Sequence, residues 1–207
     1  FLEDPLIPEN QGLWTWHLTQ DGSSLEKVDQ GEIRYGESHR TAFVFQEPRL
    51  MPWLTVWDNV TFGIRKKEKN RENISGIIST VGLEGFEKAY PSQLSGGMQQ
   101  RTAIARALAY RPSFIMMDEP FAALDYFTRE QMQKELLRVR QKQRCSILFV
   151  THSIDEALLL GHKIVVIENG LVKTQVQVPE LAEERNLLDD MFISLKRRII
   201  ESLNTAD

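Results

Sequence analysis

Four short runs of apolar residues stand out against the more polar remainder of the chain. They are TAFVF (41–45), SFIMMD (113–118), SILFVT (146–151) and KIVVIE (163–168). Continuous apolar runs of this length are typical of strands that are buried on both faces. Segments with helical character lie between them, so the order predicts an α/β fold around a mostly parallel sheet.

The stretch from Pro52 to Tyr90 interrupts this alternation. It contains two helix-like segments, TVWDNVTFGI and ENISGIISTVGL, which are joined by the charged run RKKEKNREN. We interpret the stretch as a helical subdomain inserted into the α/β layer, with the charged run as a solvated loop.

The C-terminal part predicts a hairpin and then an amphipathic helix. Asn169-Gly170 separates two strand-like runs, which is a strong hairpin signal. Beyond Pro179, apolar residues recur at helical spacing and form one stripe. The members of the stripe are Leu188, Met191, Phe192, Leu195, Ile199 and Leu203. We expect the stripe to pack on its own domain, with a partner or membrane surface as the alternative.

Composition is that of an ordinary globular protein. The chain has 207 residues, 42% of them hydrophobic, and a net charge of −4, which argues against a general nucleic-acid binder. The single cysteine, Cys145, opens an apolar run and is expected to be buried. No run reaches the ~18 apolar residues of a membrane span, and the acidic start is unlike a signal peptide. We therefore expect a cytosolic chain, or one attached to a membrane only through partners.

The segment LSGGMQQRTAIARAL (94–108) combines a helix start with two glycines. It predicts a helix from Gly96 with Ser95 as the N-cap. A helix start presents free backbone N–H groups and the positive end of the dipole, and glycine lets an anion approach the backbone. Ser95, Gly96 and Gly97 are therefore candidates for contacting a phosphate, although Ser-Gly-Gly alone would be an ordinary cap.

Polar side chains follow three of the predicted strands. Asp118 and Glu119 end one strand, and Gln46 and His152 follow two others. Open α/β sheets bind ligands at this edge, so the side chains should line one site. There Asp118 and Gln46 could hold Mg²⁺ through oxygen atoms, while Glu119 could activate a water molecule. His152 could contact a γ-phosphate or orient that water, or be an ordinary helix-start residue.

Together these motifs resemble those of the nucleotide-binding subunits of ABC transporters. LSGGMQQR resembles the signature loop, FIMMDEP the Walker B motif, ALD the D-loop, FVTHS the switch histidine and VFQEP the Q-loop. The resemblance covers about residues 25–170. The phrase FQEPRLMPWLTVWDNV is most similar to importer ATPases for nitrate, sulfonate, taurine and related solutes. Met98 replaces the usual Gln of the signature, which we expect to be tolerated.

The resemblance implies a P-loop NTPase-like fold with an inserted helical signature subdomain and a C-terminal amphipathic helix. It implies a single ABC ATPase domain over residues 1–207. Its expected parts are an α/β core (1–51 and 113–178), a helical signature subdomain (52–112) and a helical tail (179–207).

The same resemblance implies cofactors and partners. Two copies of the chain would pair head to tail and bind ATP and Mg²⁺ between them. Each ATP would lie between Walker B of one copy and Ser95, Gly96 and Gly97 of the other, with Asp125 of the D-loop also at the nucleotide. Hydrolysis would drive a membrane permease, contacted through Pro48–Phe62, and indirectly serve a solute-binding protein. The subunit would lie peripherally on the cytoplasmic face of the membrane.

Two tryptophans, Trp53 and Trp57, look exposed in the expected permease contact. A place in the core of the helical subdomain is an equally good interpretation of that segment. The sequence offers three candidates for the aromatic residue that stacks on adenine, namely Phe1, Trp14 and Trp16, and does not decide between them.

One motif of the family is missing from this sequence. The phosphate-binding string G-x-x-x-x-G-K-[ST] does not occur. LTQDG resembles the segment that precedes its strand, and LEKVDQGEI resembles the segment directly after its helix. We hypothesise that Ser24 and Leu25 are not joined in the native protein. This predicts a Cα separation above about 3.8 Å between Gly22 and Leu25.

The same hypothesis predicts a native mass above 23.9 kDa by about twenty residues. The alternative is a non-catalytic, P-loop-less regulatory or scaffold protein, although such a chain would not need Glu119 and His152. An ABC ATPase acting on DNA or ribosomes is a second alternative. The acidic charge and the lack of coiled-coil insertions disfavour it.

Overall fold

A computed structural model describes residues 40–143, 145–179 and 185–204 of the chain. The expected break between Gly22 and Leu25 lies outside these residues, as do the aromatic candidates Phe1, Trp14 and Trp16. The described residues form two compact units, which divide between Val150 and Thr151. The expected division into core, signature subdomain and tail stays a prediction.

The first unit contains a parallel three-stranded sheet. Its strands are β1 (Thr41–Val44), β2 (Phe114–Asp118) and β3 (Ser146–Val150), in the spatial order β1-β2-β3. Three of the four strands predicted from apolar runs are therefore confirmed as members of a parallel sheet. The central strand β2 is the most deeply buried, because both of its edges are paired with neighbours.

The described residues of the first unit also form four α-helices. They are α1 (Val56–Val60), α2 (Arg71–Thr80), α3 (Gly96–Ala109) and α4 (Tyr126–Gln143), with 3₁₀ turns at Lys66–Glu68 and Pro91–Gln93. Helix α1 is only half as long as the segment TVWDNVTFGI that was expected to form it. It ends at the C-cap Thr61, and Gly63 then adopts a left-handed φ of +83°, a conformation that does not continue a helix.

Helix α3 begins where the sequence predicts. The Ser95 hydroxyl accepts a hydrogen bond from the Met98 backbone N–H at 3.2 Å, as an N-cap does. Farther along α3, Ala103, Ile104 and Leu108 are buried in the core. The predicted burial of Cys145 is also confirmed.

The second unit combines α5 (Ile154–Leu160), β4 (Lys163–Glu168), β5 (Leu171–Gln177) and α6 (Asp190–Asn204). Asn169 and Gly170 have φ of +49° and +79°, which confirms the predicted tight hairpin. The expectation that KIVVIE joins the parallel sheet is wrong for the described residues. The two-residue turn brings β5 directly alongside β4, and the two strands pair antiparallel in a sheet of their own.

Helix α6 packs on its own unit, as predicted. Phe192 and Ile199 are buried against α5 and the hairpin, with Met191 and Leu195 beside them. The stripe is shorter than expected, because Leu188 precedes the helix and is 81% exposed, and Leu203 is 39% exposed. None of the helices among the described residues combines the length and the apolar character needed to cross a membrane.

Candidate functional site

The carboxyl ends of β1 and β2 bring the predicted Mg²⁺ ligands to one edge of the sheet. Val44 pairs with Met117, so Gln46 and Asp118 both lie just beyond this pair at the same edge. Burial raises the pKa of the Asp118 carboxyl, and the neighbouring charge of Glu119 raises it further. A cation bound at this edge would offset both effects.

Glu119 has an unusual backbone conformation. Its φ is +42°, in the left-handed region that residues other than glycine rarely adopt, at a cost of about 1–3 kcal/mol. The conformation is held by two hydrogen bonds, since the Glu119 N–H donates to Val150 O at 3.0 Å and its carbonyl accepts from Ala122 N at 3.2 Å. The bond to Val150 ties Glu119 to the end of β3. Strain of this kind is concentrated at functional sites.

The helix start at Ser95 to Gly97 presents an open backbone surface. A Cβ placed on Gly96 would meet no atom within 4 Å, and Gly96 does not adopt a positive φ. Nothing within the described part of the chain therefore requires glycine at this position. Gly97 is different, because a Cβ there would lie 3.3 Å from Leu124 Cδ2 and 3.7 Å from the Ala123 carbonyl oxygen. Gly97 thus packs against the loop that precedes Asp125.

Asp125 caps helix α4. Its Oδ1 accepts a hydrogen bond from the Thr128 backbone N–H at 3.1 Å. Hydrogen bonds from the Thr128 hydroxyl and backbone lower the pKa of this carboxyl, which is exposed and stays ionised. A structural role therefore accounts for Asp125 in the isolated chain, and its predicted contact with a nucleotide stays a prediction.

His152 follows β3 by two residues and belongs to the second unit, where it is exposed. Its neighbours are fixed by the buried Glu156, which accepts a hydrogen bond from the Thr151 hydroxyl at 2.7 Å. The same hydroxyl accepts from Ser153 N at 3.0 Å, and the Ser153 hydroxyl accepts from Glu156 N at 3.3 Å. The backbone on both sides of His152 is therefore held in place. In the first unit the sheet edge collects Gln46, Asp118 and Glu119.

Sequence reasoning missed two residues of α3 that contact the segment around Gln46. Gln100 Nε2 donates to the Phe45 carbonyl at 3.0 Å, and the Arg106 guanidinium donates to the carbonyls of Pro48 and Arg49. A signal for Gln100 was present. It lies one and two helical turns before Ile104 and Leu108, on a buried stripe where a polar residue needs an explanation.

The segment Pro48–Phe62 is partly exposed. Trp53 is 70% exposed and Phe62 is 52% exposed, in agreement with the expected surface. The expectation that Trp57 is exposed is wrong. The Trp57 side chain is half-buried, and the Arg71 guanidinium lies 6.0 Å from its ring centre.

The donor set at the sheet edge suits Mg²⁺ better than a metal held only by the protein. Among the described residues, no three His, Cys, Asp or Glu side chains are grouped so that they could hold a metal ion. Mg²⁺ needs only one or two protein oxygens, because it keeps water molecules and binds substrate phosphates. Asp118 and Gln46 supply such oxygens.

Comparisons with known proteins agree with this arrangement. A family model described as ABC transporter matches residues 17–122. An uncharacterized ABC transporter ATP-binding protein of Methanocaldococcus jannaschii is 49% identical over 182 residues, which are 85% of this chain and 67% of that protein. The aliphatic sulfonates import ATP-binding protein SsuB of Bacillus thuringiensis is 39% identical, over 85% of this chain and 71% of that protein.

A solved structure of similar fold is that of a dimeric ATP-binding cassette in a post-hydrolysis state, bound to ADP and Pi. It has a TM-score of 0.61 and 34% identity, and the match covers 69% of this chain. This chain spans 64% of that cassette, so the activity and partners of the whole protein are proposals. The family match, the identities and the shared fold show that the chain belongs to the ABC transporter family, as an ATP-binding cassette.

Proposed function

We propose that the chain is the ATP-hydrolysing subunit of an importer for a small solute. ATP-binding proteins of this family are ATPases coupled to transport. The observation that carries the proposal is the sheet register, which puts Gln46, Asp118 and Glu119 at one edge. The relatives favour a small organic solute, since one is named for aliphatic sulfonates and another, of Escherichia coli, for glycine betaine and proline betaine.

In this proposal the predicted site residues divide the chemistry between them. Asp118 and Gln46 hold Mg²⁺, which neutralises charge on the phosphates when it is bound. Glu119 takes a proton from the attacking water, and its fixed backbone aims the carboxylate. His152 contacts the terminal phosphate or orients the water. The network of Thr151, Ser153 and Glu156 would fix the position of His152 from both sides.

The nucleotide would be shared by two copies of the chain. Gly96 offers an open helix start, and the described residues give no reason for glycine there. A phosphate of the ATP bound mainly by the other copy is the group that this surface fits. Asp125 would face the same partner, because the loop before it packs against Gly97. The solved cassette of similar fold is a dimer.

The permease would be contacted through Pro48–Phe62, which places the subunit on the cytoplasmic face of the membrane. The exposed Trp53 and Phe62 supply apolar area for such a contact. A solute-binding protein would meet the permease rather than this chain.

We also propose that the native polypeptide carries a phosphate-binding loop between Ser24 and Leu25. The sequence supports this proposal, because LTQDG and LEKVDQGEI resemble the segments before and after the missing motif.

Intact-mass measurement of the native protein, followed by an ATPase assay, tests the proposal. We expect a mass above 23.9 kDa by about twenty residues and Mg²⁺-dependent ATP hydrolysis. A mass of 23.9 kDa together with no hydrolysis would make the P-loop-less regulator the leading interpretation. A larger mass without hydrolysis would contradict the enzymatic role alone.

A further inference from the structure

Helix α3 holds the backbone on both sides of Gln46. Gln100 Nε2 donates to the carbonyl of Phe45, immediately before Gln46, at 3.0 Å. Arg106 donates to the carbonyls of Pro48 and Arg49, each at 3.0 Å. Three carbonyl groups within five residues are therefore bound by two side chains of one helix.

Stability alone does not explain Gln100. The side chain is 1% exposed, and its Oε1 has no hydrogen-bond partner among the described residues. A buried acceptor without a partner costs about 1–3 kcal/mol. Methionine has a similar volume and would fill the space without that cost. What methionine cannot provide is the donor that holds Phe45.

The segment that is held is itself strained. Arg49 has a φ of +44°, which is unfavourable for a residue with a side chain. Its guanidinium lies 3.9 Å from the centre of the Phe45 ring, so the segment folds back on itself around Gln46. Arg106 is partly buried, and burial lowers its pKa, which indicates that its charge is costly to keep there. Such a conformation persists only when the surroundings fix it.

We propose that Gln100 and Arg106 are positioning residues for Gln46: they hold the backbone on both sides of Gln46 against helix α3 and so set where its side chain starts. The proposal rests on the proposed function, in which Gln46 holds Mg²⁺.

A spin label at position 47 tests the positioning role without nucleotide. Glu47 is exposed, and Cys145, the single cysteine, is replaced by alanine, so that Glu47→Cys carries the label alone. Loss of a hydrogen bond from a charged donor costs about 1.5–3 kcal/mol, which changes the ratio of the released to the held conformation of the segment tenfold or more. We expect the mobile fraction of the spectrum to rise about tenfold in Arg106→Met. In Gln100→Met we expect a smaller rise, because the donor that is lost is neutral.

Arg101→Met is the matched control on the same helix. Arg101 Nη1 also donates to two backbone carbonyls, those of Val81 and Gly82, at 2.9 Å each, but it does not contact the Gln46 segment. Its loss should leave the label unchanged, and Arg106→Lys should restore part of the immobile fraction. If Gln100→Met and its parent have equal thermal unfolding midpoints, the change in mobility of the label is not caused by a loss of stability. An unchanged spectrum in both Gln100→Met and Arg106→Met, or an equal change in Arg101→Met, would overturn the proposal.

Hydrolysis of Mg·ATP by the complete parent protein separates failure of this proposal from failure of the proposed function. No hydrolysis by the parent would contradict the proposed function, while the nucleotide-free spectra would still decide the positioning role.

Discussion

Replacing Gly96 with alanine should stabilise the fold and impair nucleotide turnover at the same time. Alanine is favoured over glycine in a helix, and the added Cβ would meet no atom within 4 Å. Substitutions of this kind stabilise proteins by about 0.4–1 kcal/mol. For a chain of this size the unfolding midpoint should rise by roughly 1–4 °C.

Turnover should fall because the open surface at Gly96 is where a phosphate is proposed to approach. Loss of one charge-assisted hydrogen bond to the anion costs about 1.5–3 kcal/mol, so hydrolysis should fall at least tenfold. Gly97→Ala should lose turnover without becoming more stable. Its Cβ would lie 3.3 Å from Leu124 Cδ2, and this buried side chain would have to shift by a few tenths of an ångström.

Gly76→Ala is the matched control. Gly76 lies in α2, and a Cβ there would also meet no atom within 4 Å. Its midpoint should rise by a similar amount, and its turnover should not change. Thermal unfolding followed by circular dichroism measures the first effect, and phosphate release from Mg·ATP by the complete protein measures the second. A Gly96→Ala variant that hydrolyses ATP at the wild-type rate would refute the proposed phosphate contact.

Four further results are expected. Glu119→Gln should abolish hydrolysis but keep ATP binding and favour an ATP-bound dimer in sizing experiments, because only the proton acceptor is lost; near-normal hydrolysis would remove Glu119 from that role. Ser95→Arg should block hydrolysis without preventing nucleotide binding, and mixtures with wild-type subunits should show a partial defect; an unchanged rate in the pure variant would contradict the shared site. The pKa of Asp118 is raised in the folded state, so its protonated carboxyl contributes stability at pH values below its ordinary pKa of 3.8. This contribution is lost as the pH rises through the folded-state pKa. Asp118→Asn lacks this loss, so the difference between its melting midpoint and that of wild type should increase from about pH 4 to pH 7. A difference that stays constant over this range would argue that burial does not penalise the Asp118 carboxylate. Phe192→Ala should lower the free energy of unfolding by about 3–5 kcal/mol in urea titrations, because the ring is fully buried against α5 and the hairpin.

Local features of this protein could be predicted from the sequence because they depend on neighbouring residues. Ser95 caps α3 through an N–H three residues away, and Asn169-Gly170 adopts the left-handed pair of φ angles that a tight hairpin needs. The apolar runs that form β1, β2 and β3 indicate strands through their composition, although only β2 is buried along most of its length. Gln46, Asp118 and Glu119 could be assigned to one sheet edge, since each ends or directly follows a recognisable apolar run.

Other features depended on contacts that no local pattern encodes. Gln100 and Phe45 are 55 positions apart, and Arg106 and Pro48 are 58 apart, so neither hydrogen bond could be inferred from spacing. The partner of β4 was decided by the tight turn that brings β5 beside it, although the composition of β4 matches that of a parallel strand. The partial burial of Trp57, with Arg71 of another helix 6.0 Å from its ring centre, likewise could not be inferred from its own segment. Sequence patterns determine which residues form an element, whereas the packing of distant elements decides which side chains and carbonyl groups meet.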